Sequence, residues 1–291
     1  MSILVLTTNP ANPKLDEELV RAIHAEIGGT VNWLHQSIAI EFINPKAAAS
    51  LQIARDIIGD TKVDANLVPV LNRRKKLLIA DMDSTMINEE CIDELGAALG
   101  IKEQIAKITE RAMRGELDFE EALDARVGLL KGLPLDQVKE VRRERISYAA
   151  GGRVLIQTMK THGAYTALVS GGFTLFADYF GKRIGFDEAT ANVLEFNDDR
   201  LTGTVARPIV DKDTKLAKLQ QLAAEQNLSL DDTMAVGDGA NDLMMIKAAG
   251  MGVAIHAKPI VAAEAQYQFN HSDLSGLLYL QGYEEADLVR Q

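Results

Sequence analysis

Little in this 291-residue chain suits a disulfide scaffold, a membrane span or a nucleic-acid surface. It has one cysteine, Cys91, so no internal disulfide framework can form, and a reducing compartment is expected. No apolar run approaches the roughly 18 residues that a membrane span needs, so no membrane partner is expected. Positive charge is in deficit: the net charge is −11, which argues against nucleic acid as a partner. The one basic run, Arg73-Arg74-Lys75-Lys76, reads as a solvated linker before a strand. The first residues, Met1-Ser2-Ile3-Leu4-Val5-Leu6, lack the basic and apolar regions of a secretory signal, so a cytoplasmic location is expected. Internal repeats and low-complexity segments are also missing. Apolar residues, by contrast, make up 47% of the chain, ample for one large domain or two modest ones.

Two acidic motifs dominate what is present. Asp81-Met82-Asp83-Ser84-Thr85 follows the strand-like run 76–80, and Gly237-Asp238-Gly239-Ala240-Asn241-Asp242 follows the strand-like run 233–236. Each places carboxylates at the carboxyl end of a short strand, the edge where open α/β sheets bind ligands. A carboxylate there can attack phosphorus, and a second, two residues on, can serve as general acid and base. Attack of an anion on an anionic phosphate calls for a divalent cation, and magnesium prefers hard oxygen ligands. Asp81, Asp238 and the Asp83 carbonyl form the expected protein shell. A lone Asp-x-Asp is more often a turn and a helix cap. Two such clusters on apolar strands reverse that balance. Ser170-Gly171-Gly172 ends another predicted strand (164–169) and starts a helix, where a hydroxyl and free N–H groups can cradle phosphate.

Residues 1–72 read as β-α-β-β-α-β, the ferredoxin-like plan, similar to an ACT-type module. Such a unit either binds a small amino acid such as serine or pairs subunits into a homodimer, and the residues leave both open. Residues 73–291 read as an alternation of strands and helices, hence a helix-covered parallel sheet. A helical insertion, about 88–150, separates the first two core strands. Residues 189–196 and 201–206 are expected to pair as a hairpin around Asn197-Asp198-Asp199-Arg200.

In their order and spacing these segments resemble the haloacid-dehalogenase superfamily of aspartyl-phosphate phosphatases, and within it the branch acting on phosphoserine. The resemblance covers about residues 76–271. It implies a Rossmann-like core with an inserted helical cap, and magnesium-dependent hydrolysis of O-phospho-L-serine to serine and phosphate. It implies Asp81 as nucleophile and Asp83 as general acid/base. It implies Ser170, Gly171, Lys215 and Asn241 on the phosphate, with magnesium held by Asp81, Asp83, Asp238 and Asp242. Lys215 is taken over Lys212 and Lys218 because its distance before the Gly-Asp-Gly turn matches the family. Within the insertion, Glu90 matches the glutamate that faces the substrate ammonium, and Arg126 the arginine that grips its carboxylate. A zwitterionic head needs one anion and one guanidinium fork, which agrees. Met113 and Phe119 are expected to wall the pocket. Two alternatives stay open: a related enzyme for another small phosphate ester, and an amino-acid-sensing regulator with a vestigial phosphatase domain.

Overall fold

A computed structural model describes residues 1–290. The first elements are β1 (Ser2–Thr8), α1 (Glu17–Ile27), β2 (Thr30–His35), β3 (Ala39–Ile43), α2 (Ser50–Ile58) and β4 (Val63–Pro69). The strands form an antiparallel sheet in the order β2-β3-β1-β4, the ferredoxin-like arrangement. Asp16 caps α1 by accepting from the Leu19 N–H, and Gly28 and Gly59 end the two helices. Alternate residues of β1 enter different cores. Leu4 and Leu6 pack with Ile23, Ile27 and Phe42 under the helices, whereas Ile3 and Val5 join the large core of the rest of the molecule. Strand periodicity therefore buries both faces of this sheet.

The remaining strands are β5 (Leu77–Ala80), β6 (Tyr165–Phe173), β7 (Glu188–Asn192), β8 (Leu194–Asn197), β9 (Arg200–Val205), β10 (Thr233–Gly237), β11 (Met251–Ile255) and β12 (Tyr267–Phe269). Six of them form one parallel sheet in the order β12-β11-β10-β5-β6-β7. All four residues of β5 are buried: Leu78 and Ala80 face the large core, and Leu77 and Ile79 a second core on the other face. Burial on both faces is why a central parallel strand reads as a continuous apolar run. From β5 the chain winds outward through β6 and β7, then returns to β10 on the other side. The junction of β5 and β10 is thus the point where strand order reverses, and a crevice opens there.

Helices cover the sheet: α7 (Gly152–Thr161), α8 (Thr174–Ile184), α9 (Lys212–Glu225), α10 (Leu243–Ala248), α11 (Pro259–Glu264) and α12 (Gly276–Leu280). The expected insertion is present as α3 (Cys91–Ala98), α4 (Lys102–Met113), α5 (Phe119–Gly128) and α6 (Leu135–Glu144). Its two connections to the core run side by side: the Asn88 N–H donates to the Ser147 carbonyl, and the Ala149 N–H to the Met86 carbonyl. Among the described residues no helix is long and apolar enough to cross a membrane.

One sequence expectation is corrected. Residues 189–196 are not a single hairpin strand. Residues up to Asn192 form the edge strand β7, parallel to β6, and only β8, after Val193, pairs with β9. The hairpin then reaches the insertion, where Pro134 bridges Arg200.

The edge strands of the two sheets are tied by side chains. Asn66 of β4 bonds both the N–H and the carbonyl of Gln268 on β12. Asp64 accepts from the N–H groups of Asn270, His271 and Ser272.

Candidate active site

Parallel strands β5 and β10 are hydrogen-bonded neighbours, so the loops that follow them emerge side by side. This register brings Asp81 and Asp238 together, although 157 positions separate them in the chain. One carboxylate oxygen from each of Asp81, Asp238 and Asp242 lies within 4.8 Å of the others, a cluster of hard donors able to hold a metal ion. Asp81 is only 6% exposed. Burial and repulsion from Asp242 push its carboxyl well above the usual range, and Lys215 opposes them. Burial, with Asp242 next, raises Asp238 to about 6 against the hydrogen bond that Thr85 donates to it. Three carboxylates held this close repel one another unless a cation joins them, so the donor set fits a divalent ion.

Lys215 is fully buried and lies 2.7 Å from both Asp81 Oδ1 and Asp242 Oδ1. Burial lowers its pKa, but the two carboxylates more than offset this, and the ammonium stays charged. Lys218 instead pairs with Glu188, while Lys212 begins α9 one residue after its cap, Asp211. Of the three lysines considered from sequence, Lys215 is the one the structure brings to the acidic cluster. Both Asp242 oxygens are engaged, one by Lys215 and one by the Gly239 N–H. A Cβ at Gly237 would collide with the Asp242 carboxylate, which is why the turn begins with glycine.

Asp83 is held from two other segments. Its Oδ1 accepts from the Cys91 N–H at the start of α3, and its Oδ2 from the Ser170 hydroxyl at 3.2 Å. Burial, with repulsion from Glu90 next, raises Asp83 to about 6. Cys91 contributes its backbone N–H, and its side chain is packed in the core. Ser170 Oγ in turn accepts from the Gly172 N–H at 2.8 Å. A Cβ on Gly172 would lie 2.5 Å from Asp83 Oδ2, so only glycine fits beside this carboxylate.

These groups open into a cavity of about 520 Å³ between the sheet edge and the helical insertion. Glu90, Arg126 and Phe119 line it from the insertion, and Asp81, Asp83, Ser170, Gly171, Asp238 and Asn241 from the core. Ser84 donates to Glu90 Oε1 at 2.7 Å. Arg126 donates its Nε–H to the Ala122 carbonyl. Among the described residues no carboxylate lies within ion-pair distance of Arg126, so its terminal nitrogens are left for another acceptor. Phe119 caps the floor, its ring tip 3.2 Å from where a Cβ on Gly171 would sit. Met113 is not brought to the cavity. It ends α4 one turn past Thr109, which does line the space, and is 75% exposed.

Sequence reasoning passed over several residues that hold this arrangement: Thr85 on Asp238, Ser84 on Glu90, and Asn192 behind Gly171. The first two lie inside the Asp81 motif and were legible there as hydroxyls next to carboxylates. Asn192 left a fainter mark, a polar amide inside the apolar run 189–196.

The fold and this site define a Rossmann-like hydrolase with its acidic groups at the switch point. The chain belongs to the haloacid dehalogenase-like hydrolases, whose family model matches residues 78–247. It is 50% identical over 200 residues to the phosphoserine phosphatase of Streptococcus thermophilus, covering 69% of this chain and 93% of that protein. The unliganded crystal structure of a probable phosphoserine phosphatase from Vibrio cholerae superposes with a TM-score of 0.81 at 32% identity, over 98% of this chain and 88% of that one. A substrate-bound phosphoserine phosphatase complex superposes with a TM-score of 0.66 at 40% identity, over 70% of this chain and 97% of that one.

Proposed function

We propose that the chain hydrolyses O-phospho-L-serine to L-serine and phosphate in the cytoplasm. The observation that carries this reading is the meeting, in one cavity, of the Asp81–Asp83 pair with Glu90 and an unpaired Arg126. A sugar phosphate offers neither ammonium nor carboxylate to that second pair, whereas an amino-acid head offers an ammonium to Glu90 and a carboxylate to the Arg126 fork. Phosphoserine phosphatases among the relatives, one of them with substrate bound, support the same assignment.

In this reading an Asp81 carboxylate oxygen attacks phosphorus, and the bond to the seryl oxygen breaks. Asp83, raised to about 6 and so able to carry a proton near neutrality, protonates the leaving oxygen. The resulting aspartyl-phosphate is attacked by water, whose proton passes to Asp83, and phosphate leaves Asp81 free. Lys215, Ser170, the Gly171 backbone and Asn241 hold the phosphoryl oxygens. Magnesium held by Asp81, Asp238 and the Asp83 carbonyl would supply positive charge against the phosphate. Asp242, with both oxygens engaged, serves that centre by fixing Lys215. Phe119 keeps water from the closed site.

Residues 1–72 are proposed as a second domain beside a hydrolase of residues 73–291, serving to bind serine or to pair two copies. Phosphate release from a panel of esters, with and without a chelator, tests the main reading. Phosphoserine should be preferred by orders of magnitude, and the chelator should abolish turnover. Equal rates on sugar or aryl phosphates would overturn the substrate, and full activity in chelator would overturn the metal.

A further inference from the structure

The ladder between β6 and β7 breaks at the site. Val169 pairs with Thr190, but the next pair is Phe173 with Asn192, so residues 170–172 bulge out opposite Ala191 alone. A bulge of this kind strips backbone groups of their ladder partners. The Asn192 side chain, 1% exposed, replaces one of them: its Nδ2 donates to the Gly171 carbonyl at 2.9 Å. The amide orientation is fixed, because the Val210 N–H donates to Oδ1 at 2.8 Å and Nδ2 also reaches the Val210 carbonyl at 3.3 Å.

We propose that Asn192 is a positioning residue for phosphate binding, acting through the Gly171–Gly172 peptide. That peptide is one rigid plane. Asn192 holds its carbonyl edge, and its N–H edge donates to Ser170 Oγ, whose hydroxyl donates to Asp83 Oδ2. Rotating the plane breaks the series and turns the Ser170 hydroxyl away from the phosphate. The other end of the amide pins Val210, next to Asp211, the cap of the helix that carries Lys215. One buried amide thus sets the spacing between the Ser170–Gly171 cradle and the Lys215 helix. The inference rests on the phosphatase reading of this site.

The test uses Asn192→Asp, which keeps the shape and the acceptor for Val210 but loses the donor to Gly171, and Asn192→Ala, which removes both ends of the tie. Wild-type turnover of phosphoserine in the same assay checks the underlying reading separately. KM for phosphoserine, KM for an aryl phosphate and Ki for inorganic phosphate should all rise together, by roughly tenfold for one lost hydrogen bond. Rates are taken per folded protein, measured well below each variant's melting point. A residue that only packed the core would lower the melting temperature and the folded fraction while leaving all three constants unchanged. That outcome would overturn the proposal, as would a loss confined to phosphoserine. Failure of both variants to accumulate as folded protein would overturn it too, since Asn192 would then hold the fold and not the cradle.

Discussion

The two sides of the cavity are built differently. On the sheet edge, Asp81, Asp242 and Lys215 are buried and bonded to one another, and Asp83 has a partner on each oxygen. On the insertion, Phe119 is 36% exposed, Glu90 has a single hydroxyl partner, and Arg126 keeps its terminal nitrogens free. Reacting groups must be held within a fraction of an ångström of the in-line geometry, and rigid strand ends provide that. Groups that recognise a substrate's head must instead wait without partners. Changes on the sheet edge should therefore harm every substrate and also stability, whereas changes on the insertion should separate one substrate from another.

The largest effect is expected at Asp81. Asp81→Asn keeps the shape but removes the nucleophile, so turnover of every ester should vanish. Residual turnover near wild type would exclude an aspartyl-phosphate. Asp83→Asn follows, with a loss of roughly 10²-fold or more. That loss, too, should be equal for phosphoserine and an aryl phosphate.

Lys215 extends the comparison to stability. Lys215→Met leaves Asp81 and Asp242 facing one another in a buried site. Breaking a buried pair in this way costs about 3–5 kcal/mol. Denaturant unfolding without divalent ions should show a loss of that order, and saturating magnesium should recover part of it by placing positive charge beside Asp81. Unchanged stability in metal-free protein would mean that the aspartates neutralise themselves by protonation and that the lysine is not their structural partner.

On the insertion side, Arg126→Ala should reduce kcat/KM for phosphoserine by about 10²-fold, since the substrate carboxylate then sits unpaired in a closed site. Arg126→Lys keeps the charge but not the fork and should recover only part of this. An aryl phosphate, which has no carboxylate, should be nearly unaffected by either. Equal losses on both substrates would make Arg126 structural and erase the difference between the two sides.

The same division decides what the sequence could reveal. Sheet-edge residues announced themselves because strand, turn and chemistry lie in one short segment: a buried apolar run is followed at once by Asp81 or Asp238, and parallel pairing of β5 with β10 does the rest. Glu90 precedes α3 and Arg126 lies on α5, helices whose approach to the sheet is a tertiary matter, and only family likeness distinguished them from surface charges. Met113 shows the limit. It shares a helical face with Thr109, but the cavity ends one turn before it, and no periodicity encodes where a helix outruns its pocket. The misread hairpin has a similar cause. A single residue, Val193, separates a strand of the parallel sheet from a strand of the hairpin, too short an interruption for composition to mark. The double burial of β1 is marked by the continuous apolar run Ile3-Leu4-Val5-Leu6, but nothing local says which core each face enters.

Ser84 offers the smallest and most discriminating change, because it lies in the sheet-edge motif but serves the insertion. Its hydroxyl donates to Glu90 Oε1 at 2.7 Å, and its backbone adopts φ 54°, in the left-handed region. Ser84→Gly deletes the hydroxyl and relaxes the backbone at the same time, so any loss of activity cannot be ascribed to added strain. One hydrogen bond to a largely solvated carboxylate contributes about 1 kcal/mol, so kcat/KM for phosphoserine should fall roughly fivefold. Hydrolysis of an aryl phosphate, which has no ammonium for Glu90 to face, should stay within twofold. If both substrates fell together, Ser84 would be holding the Asp83 loop, and the sheet edge would extend one residue further than its hydrogen bonds indicate. If only phosphoserine fell, the boundary between catalysis and recognition would run inside the motif, between Asp83 and Ser84.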